Sequence, residues 1–381
     1  MRALHLSTWH PFIDGVSGTF VVEQCAALRA AGVDAGLIFG RIEGLRGLSP
    51  RRLMRGCPGF VHLDSPIPTY GFKTWNVPGT RAAHSAIFEW ALRSRYHAYV
   101  KAVHKPDILH AHVALEAGRV ARRLAAETGL EYIITEHSSE IINGLKDPQR
   151  AAAAREVYQG ARRVIAVSDG LAQRISDIAP TARIIVIPNL VRESTFRLKR
   201  SGVQNEEALV VCSIGGLVPG KRTNDAIAAI AGLPVSLKSR IQYHIVGEGA
   251  ERQRLMRQAR DCGVRTHFHG NLPNRKAMQL LSEADVLLHA SGYETFGLVI
   301  AEAMALGVPV VATRSGGPES FVTAETGRLV AVGDIPALRD SLREILETRN
   351  RWASKRDEIS DFARGRFHEK AVAAAIIEEY K

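Results

Sequence analysis

The chain has 381 residues, of which 46% are hydrophobic and 23% are charged, and this composition excludes a disordered chain, a collagen-like repeat and a polytopic membrane protein. At roughly 100–200 residues per domain, the length predicts two domains or three. The formal net charge is +11, and residues 1–200 carry +10 of it, which indicates either an Arg-rich soluble surface or a face for a phosphorylated substrate, a nucleic acid or an acidic membrane.

The start of the chain and its cysteines indicate a cytoplasmic protein. His5, His10 and Asp14 interrupt the first residues before an apolar stretch can form, so we predict no signal peptide. The cysteines are far apart and form no CxxC pair, which predicts reduced thiols. They are Cys25, Cys57, Cys212 and Cys262.

Predicted strands and helices alternate along the whole chain. The predicted strands are Ala3–Leu6, Gly36–Phe39, Asp107–His110, Tyr132–Thr135, Arg163–Ser168, Arg183–Ile187, Leu209–Ile214, Tyr243–Gly247, Thr266–His269, Val286–Ala290, Pro309–Thr313 and Gly327–Val330. Helical patterns between them include Val21–Ala31, Gly118–Thr128, Thr223–Ala231, Glu251–Cys262 and Pro336–Glu347. Continuous apolar strands in this alternation predict an α/β fold, with parallel sheets covered by helices on both faces.

A polar segment divides the two sets of strands. Val191–Glu207 is charged and poor in apolar residues, and it is predicted to be an interdomain linker. The sequence therefore predicts one doubly wound domain over residues 1–195 and another over residues 196–362. The helical pattern Glu369–Tyr380 lies in a last segment, 363–381, which is expected to pack on the first domain. Ligands bind at the carboxyl ends of parallel strands, so two such sheets facing each other would form a deep cleft.

Two neighbouring segments of the first half are basic. Arg41–Phe60 carries five arginines among Gly and Pro: Arg41, Arg46, Arg51, Arg52 and Arg55. Ala82–Lys101 is a helical pattern with aromatic residues among basic ones: Phe88, Trp90, Tyr96 and Tyr99. Together they could form a membrane-surface or acceptor-binding face. An ordinary surface loop followed by a core helix explains them slightly better.

The segment Glu294–Ala303 carries the strongest functional pattern. It follows the predicted strand Val286–Ala290, and its Phe296 and Gly297 are expected where a helix begins. The free N–H groups of a first helical turn attract anions, so a diphosphate is the predicted ligand. The carboxylates of Glu294 and Glu302 cannot attract phosphate. They are therefore predicted to accept hydrogen bonds from hydroxyl groups such as those of ribose and a sugar, rather than to be exposed by chance.

Three more glycine turns follow strands of the second half. The turn Gly215–Lys221, GGLVPGK, lacks the spacing of a Walker loop but brings a lysine to a turn where a phosphate could bind. The turns Ser315–Glu319 and Tyr243–Gly249 can also present amides to an anion. Each of these segments, taken alone, is explained more simply as an ordinary turn than as a phosphate-binding one. All of them, however, follow strands of the same predicted domain.

The first half contains fewer candidate residues. Asp14–Phe20 is a glycine-containing turn after the first strand, and His137 in Thr135–Glu140 comes just after another strand. A satisfied structural histidine is the simpler explanation, and three other histidines compete for a role in the site: His10, His110 and His112. The sequence contains no Asp-x-Asp and no cluster with metal-ligand spacing. A bound diphosphate would then be neutralised by amides and cations, with no metal ion and no cofactor.

These motifs, in this order, resemble the retaining glycosyltransferases of family 4. The resemblance covers nearly the whole chain and is densest over Gly215–Val330. Its motifs are the pair Glu294 and Glu302, VGEG at Val246–Gly249, EAMALGVPVVAT at Glu302–Thr313 and the glycine pair of Gly316–Glu319, and in the first half PDILHAH at Pro106–His112, TEH at Thr135–His137, AVS at Ala166–Ser168 and IPN at Ile187–Asn189. The family implies the GT-B fold, in which two Rossmann-like domains face each other across a cleft.

The resemblance also implies roles for individual residues. Lys221 would neutralise the leaving diphosphate, Glu294 would bind hydroxyls of the donor sugar, and His137 would contact that sugar near the reacting carbon. Glu302 would bind the ribose. Further residues would complete the site for a nucleotide-diphosphate sugar: Gly18, Gly216, Gly247, Glu248, Thr295, Phe296, Gly297 and Leu298.

The resemblance implies a metal-independent hexosyltransferase that uses a UDP- or GDP-sugar and a glycan or lipid-linked acceptor. Such an enzyme would act in bacterial surface polysaccharide or glycolipid synthesis, in the cytoplasm or at the inner face of the membrane. Nucleic acid is an improbable partner, because no motif interleaves aromatic and basic residues.

The sequence departs from the family pattern at two places. Gly216 stands where the family usually has arginine, and Leu190–Arg192 lacks the aspartate that often follows IPN. Arg222, Arg314 or an arginine of the first domain could replace the missing cation. Alternatively, the protein is a donor-binding scaffold with weak catalysis.

Overall fold

The computed structural model describes residues 1–11, 18–43, 59–63, 66–75, 81–198, 200 and 207–381. These residues form two compact units. The first unit consists of Met1–Val167, Leu171–Leu190 and Glu369–Lys381, and the second consists of Ser168–Gly170 and Val191–His368.

The divisions between the units differ from the predicted ones at 195/196 and 362/363. Val191 belongs to the second unit because its N–H donates to the carbonyl oxygen of Phe367 at 2.7 Å and it forms a β-bridge with His368. The predicted linker also contains a short helix, Glu193–Phe196, whose last two residues are buried. Residues 199 and 201–206 of that linker lie outside the described residues.

The first unit is built on an eight-stranded sheet. Its strand order is β3-β4-β2-β1-β5-β6-β7-β8, and every neighbouring pair is parallel except β3 and β4. The strands are β1 (Arg2–Ser7), β2 (Asp34–Glu43), β3 (Gly59–Leu63), β4 (Thr69–Trp75), β5 (Ile108–His112), β6 (Glu131–Glu136), β7 (Arg163–Ala166) and β8 (Ile184–Val186). The chain order reverses between β1 and β5, and this reversal creates the crevice in which doubly wound sheets bind ligands.

The sequence did not predict β3 and β4. β3 lies at the edge of the sheet and is mostly exposed, so it lacks a continuous apolar run. β4 contains Gly71, where an added Cβ would lie 2.3 Å from the ring of Phe39. A glycine that makes room for a neighbouring aromatic ring is a tertiary effect, and it weakens the local strand pattern.

The second unit is built on a six-stranded, wholly parallel sheet. Its order is β11-β10-β9-β12-β13-β14. The strands are β9 (Leu209–Ile214), β10 (Ile241–Val246), β11 (Thr266–Gly270), β12 (Val286–His289), β13 (Val310–Thr313) and β14 (Gly327–Val330). The chain order reverses between β9 and β12, so the loops after these two strands lie on either side of this unit's crevice.

Helices cover the sheets of both units. In chain order they are α1 (Thr19–Ala30), α2 (Arg81–Ala102), α3 (Arg119–Thr128), α4 (Ser139–Ile142), α5 (Pro148–Gly160), α6 (Asp169–Ile178), α7 (Glu193–Phe196), α8 (Thr223–Ala231), α9 (Val235–Lys238), α10 (Arg252–Asp261), α11 (Asn274–Ser282), α12 (Leu298–Ala305), α13 (Ile335–Glu347), α14 (Arg349–Ser354), α15 (Arg356–Phe367) and α16 (Glu369–Tyr380). A π-helical turn, Ala114–Gly118, follows β5. All twelve predicted strands coincide with observed strands, which confirms the predicted fold class.

Two helices illustrate how the core of the first unit is filled. The last helix, α16, packs on α1, and its Val372, Ile376 and Tyr380 are buried in the same apolar cluster as Val21. In α2, three of the four aromatic residues noted in the sequence are buried, namely Phe88, Tyr96 and Tyr99. Trp90 is 65% exposed. Most of this aromatic pattern therefore belongs to the core, as expected of a core helix.

Candidate active site

The crevice of the second unit contains an ion pair between its two flanking loops. Lys221 follows β9, and its Nζ lies 2.5 Å from Oε1 of Glu294, which follows β12. Nε2 of His289, the last residue of β12, lies 2.7 Å from the same oxygen. Glu294 and His289 are mostly buried, with 12% and 7% of their side chains exposed, while Lys221 is 31% exposed. The structure thus brings together two of the predicted catalytic residues and adds a histidine.

Backbone hydrogen bonds fix the loops that carry this pair. The N–H of Gly292 donates to the carbonyl oxygen of Gly220 at 2.8 Å, which joins the loop after β12 to the loop after β9. The N–H of Glu294 donates to the carbonyl oxygen of Ser315 at 2.8 Å, which joins it to the loop after β13. Lys221 and Glu294 are therefore preorganised by the backbone as well as by their own contact.

Burial alone would raise the pKa of Glu294, because it penalises the charged form, but the hydrogen bonds and charges of His289 and Lys221 lower it to about 2. The folded-state pKa lies below that of an unfolded glutamate, so ionised Glu294 stabilises the fold above about pH 4.5. This contribution is on the order of 3 kcal/mol and is lost as the pH falls toward 2.

We therefore expect the free energy of unfolding of the native protein to exceed that of Glu294→Gln above pH 4.5, and the difference to vanish toward pH 2. Denaturant unfolding at a series of pH values measures it. An offset that does not change with pH would contradict this account, since the offset would then not come from the charge.

The helix after Glu294 begins where the sequence predicts. Gly297 is the residue before α12 and has a φ of 89°, a conformation that favours glycine. The ring of Phe296 is buried against the rings of Phe321 and Phe367, with centroids 5.0 and 5.6 Å away. In the described part of the chain, no acceptor binds the N–H groups of Phe296, Gly297 and Leu298. A helix start with free amides is suited to an anion.

The two residues on either side of this turn have different surroundings. The carbonyl oxygen of Thr295 accepts a hydrogen bond from Oγ of Ser168 at 2.6 Å, and both residues belong to the second unit. Glu302 is partly buried in α12, and its Oε1 accepts a hydrogen bond from Nδ2 of Asn274 at 3.3 Å. Glu302 lies about one helical turn after Leu298, the first residue of α12, whereas Glu294 precedes the helix.

A third loop, after β10, interlocks with the loop after β9. The N–H of Leu217 donates to the carbonyl oxygen of Glu248 at 2.9 Å, and the side chain of Glu248 pairs with Arg252. Gly247 has a φ of 134°, and an added Cβ there would lie 2.0 Å from the carbonyl oxygen of Gly215. At Gly216, the nearest atom to an added Cβ is 3.9 Å away. Only the first of these two glycines is therefore required by close packing.

We expect Gly247→Ala to lower the free energy of unfolding by at least about 1–3 kcal/mol, because it combines an unfavourable backbone conformation with a backbone clash. Gly216→Ala, its matched control, should change stability by less than about 0.5 kcal/mol. Chemical denaturation of both variants measures the contrast. Equal losses would mean that the loop after β9 does not approach Gly247 as described.

The space at Gly216 bears on the missing family arginine. Arg222 does not replace it, because its Nε and Nη2 both bind Oδ2 of buried Asp225, at 2.7 and 2.6 Å. This pair holds Arg222 in a left-handed conformation with a φ of 49°. Arg314 is exposed, and it remains available in the described part of the chain. Lys221 is thus the cation that the structure places in the crevice.

The turn that contains the glycine pair after β13 forms its own internal hydrogen bonds. The N–H of Gly316 donates to both carboxylate oxygens of Glu319, at 3.1 and 3.0 Å. An added Cβ at Gly317 would lie 2.5 Å from the carbonyl oxygen of Phe296. This turn therefore supports the start of α12 and does not present the amide of Gly316 to a ligand.

His137 follows β6 at the carboxyl edge of the first unit's sheet. Burial lowers its pKa to about 3, so the ring is neutral at neutral pH. Its ring packs against Phe20, with centroids 4.6 Å apart, and its Nε2 lies 3.2 Å from Nδ1 of His112. Gly18 precedes α1 with a φ of 79°, and an added Cβ would lie 2.6 Å from the backbone of Trp9. Residues 12–17, which include most of the predicted glycine turn, lie outside the described residues.

A buried carboxylate fixes the backbone around His137. Glu136 is fully buried, and its Oε1 accepts from the N–H groups of His137 and Ser138 at 3.0 and 2.8 Å. Its Oε2 accepts from the N–H of Ala114 at 3.0 Å and from the hydroxyl of Tyr158 at 2.6 Å. Burial raises the pKa of Glu136, whereas these four donors favour its charged form. The side chain of Glu136 thus joins the loop that carries His137 to Ala114 and to Tyr158.

Sequence reasoning missed His289 and Glu136. His289 is the one polar residue of a strand that is otherwise apolar, and its position at the carboxyl end could have identified it.

Within the described ranges, no group of three or more His, Cys, Asp or Glu residues could hold a metal ion. The described helices include none with the length and hydropathy to span a bilayer. Membrane contact stays a prediction, and Arg46, Arg51, Arg52 and Arg55 lie outside the described residues.

Comparison with known families decides the classification. The pattern of the glycosyl transferases group 1 matches residues 194–366, and that of a glycosyl transferase 4-like domain matches residues 15–190. The chain belongs to the family 4 glycosyltransferases of the GT-B fold. Residues 194–366 lie in the second unit, and the described residues of 15–190 lie in the first unit except Ser168–Gly170; the two matches confirm the resemblance seen in the motifs.

Individual proteins show how far this similarity extends. The glycosyltransferase chain is 28% identical over 254 residues to the N-acetyl-alpha-D-glucosaminyl L-malate synthase of Bacillus anthracis, covering 63% of this chain and 65% of that one. It is 29% identical over 220 residues to the lipopolysaccharide core biosynthesis glycosyltransferase LpsE of Rhizobium meliloti (strain 1021), covering 56% and 63%. These matches span less than two thirds of either relative.

Solved structures share the fold over the whole glycosyltransferase chain. The sucrose-phosphate synthase of Thermosynechococcus elongatus has a TM-score of 0.81 at 21% identity, covering 100% of this chain and 98% of that one. Anabaena HepE, solved in complex with UDP and glucose, has a TM-score of 0.74 at 20% identity, covering 99% and 98%. At this level of identity, the similarity concerns the fold alone.

Proposed function

We propose that this protein is a retaining glycosyltransferase that moves a hexosyl group from a nucleotide-diphosphate sugar to a hydroxyl group of a glycan or lipid-linked acceptor. The contact of Lys221 with Glu294 beside the start of α12 carries this proposal. It joins a cation and free amides, which suit a diphosphate, to a carboxylate, which suits hydroxyls. Family membership supports the same activity.

The donor would contact distinct groups along the crevice of the second unit. The amides of Phe296 to Leu298 and the ammonium of Lys221 bind the diphosphate. Glu302 accepts hydrogen bonds from the ribose hydroxyls, and Glu294 accepts them from the sugar. When the diphosphate arrives, it competes with Glu294 for Lys221, which frees a carboxylate oxygen for the sugar. His137 is proposed to contact the donor sugar, as the family resemblance implies.

The chemistry follows from where charge develops. The bond between the anomeric carbon and the phosphate oxygen breaks, and the leaving diphosphate gains negative charge that Lys221 and the amides stabilise. The acceptor oxygen bonds to the same face of that carbon, and its proton passes to the leaving phosphate oxygen. This route retains the configuration and requires no nucleophile from the protein. We also propose that it needs no divalent ion, because Lys221 and the amides supply the neutralisation.

The finer assignments rest on relatives. UDP is proposed as the nucleoside diphosphate of the donor, since HepE was solved with UDP and glucose. GDP is the alternative. Surface polysaccharide or glycolipid synthesis is the proposed setting, since LpsE is named for lipopolysaccharide core biosynthesis. Each assignment names only a class of donor or acceptor.

The test is turnover of a panel of UDP- and GDP-sugars by the purified protein, with and without a chelator. We expect release of one nucleoside diphosphate at a rate that the chelator leaves unchanged, and a product with the anomeric configuration of the donor. An inverted product, or a rate abolished by chelation and restored by a divalent ion, would contradict the proposed mechanism. Consumption of no donor would contradict the proposed activity.

A second candidate function is a donor-binding scaffold with weak catalysis. Gly216 favours it, because the expected arginine is absent and Arg222 is held by Asp225. The space at Gly216 accommodates a side chain, so Gly216→Arg is a fair test. A large gain in turnover on this substitution would favour the scaffold, whereas an unchanged or lower rate would favour an enzyme that manages with Lys221.

A further inference from the structure

Four buried residues of the first unit are linked to His137 through side-chain hydrogen bonds and take no part in the proposed chemistry: His5, His110, His112 and Tyr380. His5, His110 and His112 have no exposed surface, and Tyr380 is 2% exposed. They come from β1, β5 and α16, which are far apart in sequence. Buried polar groups are costly unless each is hydrogen-bonded, so their arrangement calls for a complete account of donors and acceptors.

The side chains form one continuous hydrogen-bonded chain that ends at His137. It begins at Thr135, whose Oγ1 lies 2.7 Å from Nε2 of His110. Nδ1 of His110 lies 2.7 Å from the hydroxyl of Tyr380, which lies 3.3 Å from Nε2 of His5. Nδ1 of His5 lies 3.0 Å from Nε2 of His112. Nδ1 of His112 then lies 3.2 Å from Nε2 of His137.

Every imidazole in the chain is neutral at neutral pH. Burial lowers the pKa of His5 to about 3 and holds the pKa values of His110 and His112 well below the usual range. A neutral imidazole has one N–H donor and one bare nitrogen acceptor. Each of the five contacts can therefore contain a proton from one side only. If one ring reverses, it leaves either two protons or none between itself and a neighbour.

Three arrangements place one proton in every contact, because the hydroxyl oxygen of Tyr380 can accept from two rings. In the first, all four histidines carry the proton on Nδ1, and His137 points an N–H away from the chain. In the second, all four carry it on Nε2, so His110 donates to Thr135, whose hydroxyl hydrogen then has no acceptor among the described residues. In the third, His110 carries it on Nδ1 and the other three histidines on Nε2, so that His110 and His5 both donate to Tyr380, whose hydroxyl hydrogen then has no acceptor among the described residues. Leaving a buried hydroxyl hydrogen unpaired costs free energy, so the first arrangement is favoured.

We propose that His112, His5 and Tyr380 are positioning residues that hold His137 as the Nδ1–H tautomer. Among the described residues, none forms a hydrogen bond with Nδ1 of His137, so this N–H can donate to an oxygen atom of a ligand. Its role toward the donor sugar rests on the proposed function, whereas the tautomer itself does not. An isolated imidazole side chain prefers the proton on Nε2, so the proposed state is opposite to the intrinsic preference and therefore diagnostic.

Nitrogen NMR of histidine-labelled protein tests the proposal without any substrate. Protonated and bare ring nitrogens differ widely in chemical shift, and each ring is identified by the loss of its signals in a single-residue variant. We expect Nδ1–H for His137, His112, His5 and His110 in the intact protein at neutral pH. Protons on Nε2, or different tautomers in neighbouring rings, would overturn the proposal.

Two matched variants separate this effect from general damage. Tyr380→Phe removes the hydroxyl that joins His110 to His5, so His137 should return to Nε2–H. Tyr132→Phe removes another buried hydroxyl, which donates to the carbonyl oxygen of Val157 at 2.8 Å outside the chain, and it should leave the tautomer unchanged. A tautomer that persists in Tyr380→Phe, or shifts equally in both variants, would contradict the proposal.

Kinetics then tests the consequence for transfer. If the Nδ1–H form is the competent one, kcat/KM of Tyr380→Phe should fall in proportion to the loss of that tautomer. Tyr132→Phe should keep the native value. An unchanged rate with a shifted tautomer would show that the N–H does not serve transfer. If the native protein transfers no sugar, the NMR result still shows whether the hydrogen-bonded side chains hold His137 as the Nδ1–H tautomer. Failure of the proposed function and failure of this proposal are therefore distinguishable.

Discussion

Replacing Lys221 with alanine is expected to lower kcat about 10²–10³-fold, the usual effect of removing one preorganised group that stabilises a developing anion. The ammonium group of Lys221 lies in the crevice where the chain order of the second unit reverses, between β9 and β12. Free amides lie beside it, and the leaving diphosphate would gain charge there. The KM for the donor should change less than kcat, because the charge is greater in the transition state than in the bound donor. Initial rates of nucleoside diphosphate release measure both.

Lys238→Ala is the matched control for this substitution. Lys238 ends the short helix α9, and its Nζ lies 3.5 Å from the carbonyl oxygen of Ala231, outside the crevice. The control should keep the native rate within about twofold, as expected of a surface substitution. Equal kcat values for Lys221→Ala and Lys238→Ala would remove Lys221 from the mechanism.

The second large effect is expected at Glu294. Glu294→Ala should lower kcat/KM about 10²-fold or more, because the variant loses the acceptor for the sugar hydroxyls and leaves Lys221 and His289 without their partner. The two catalytic side chains touch, so their effects should not add. We expect the double variant Lys221→Ala, Glu294→Ala to be only slightly slower than the slower single variant.

A double-mutant cycle in donor turnover measures this coupling. Glu347→Ala, at the exposed end of α13, serves as the uncoupled partner in a parallel cycle with Lys221→Ala. That cycle should be additive within about 0.5 kcal/mol. Additive losses for the Lys221 and Glu294 pair would mean that the two residues act in separate places.

The second unit shows what local patterns can predict. Its strands are short, and all except β11 (THFHG) are mostly apolar; each is followed by a glycine or helix signal, so the sequence alone placed all six. The anion site was predictable for the same reason: the residues of the start of α12 are consecutive, and a helix begins after Gly297 whatever surrounds it. Lys221 and Glu294 are 73 residues apart, and their contact follows from the order of β9 and β12 in the sheet.

Contacts that depend on the whole fold were beyond local patterns. The chain behind His137 joins His5 to Tyr380 across 375 residues, and each of its histidines, taken alone, is a structural histidine. β4 was missed because Gly71 owes its presence to the ring of Phe39 on a neighbouring strand. The end of the first unit was placed too late because the contact of Val191 with Phe367 links distant segments. The role of Arg222 was left open because only the structure shows its pairing with Asp225.

The account depends most on the position of the donor diphosphate, and a crystal structure with a bound nucleotide sugar measures that position directly. We predict the phosphates within hydrogen-bond distance of Lys221 and the amides of Phe296 to Leu298, with the ribose on Glu302 and the sugar on Glu294. A nucleotide bound elsewhere, with Lys221 still paired to Glu294, would contradict the account.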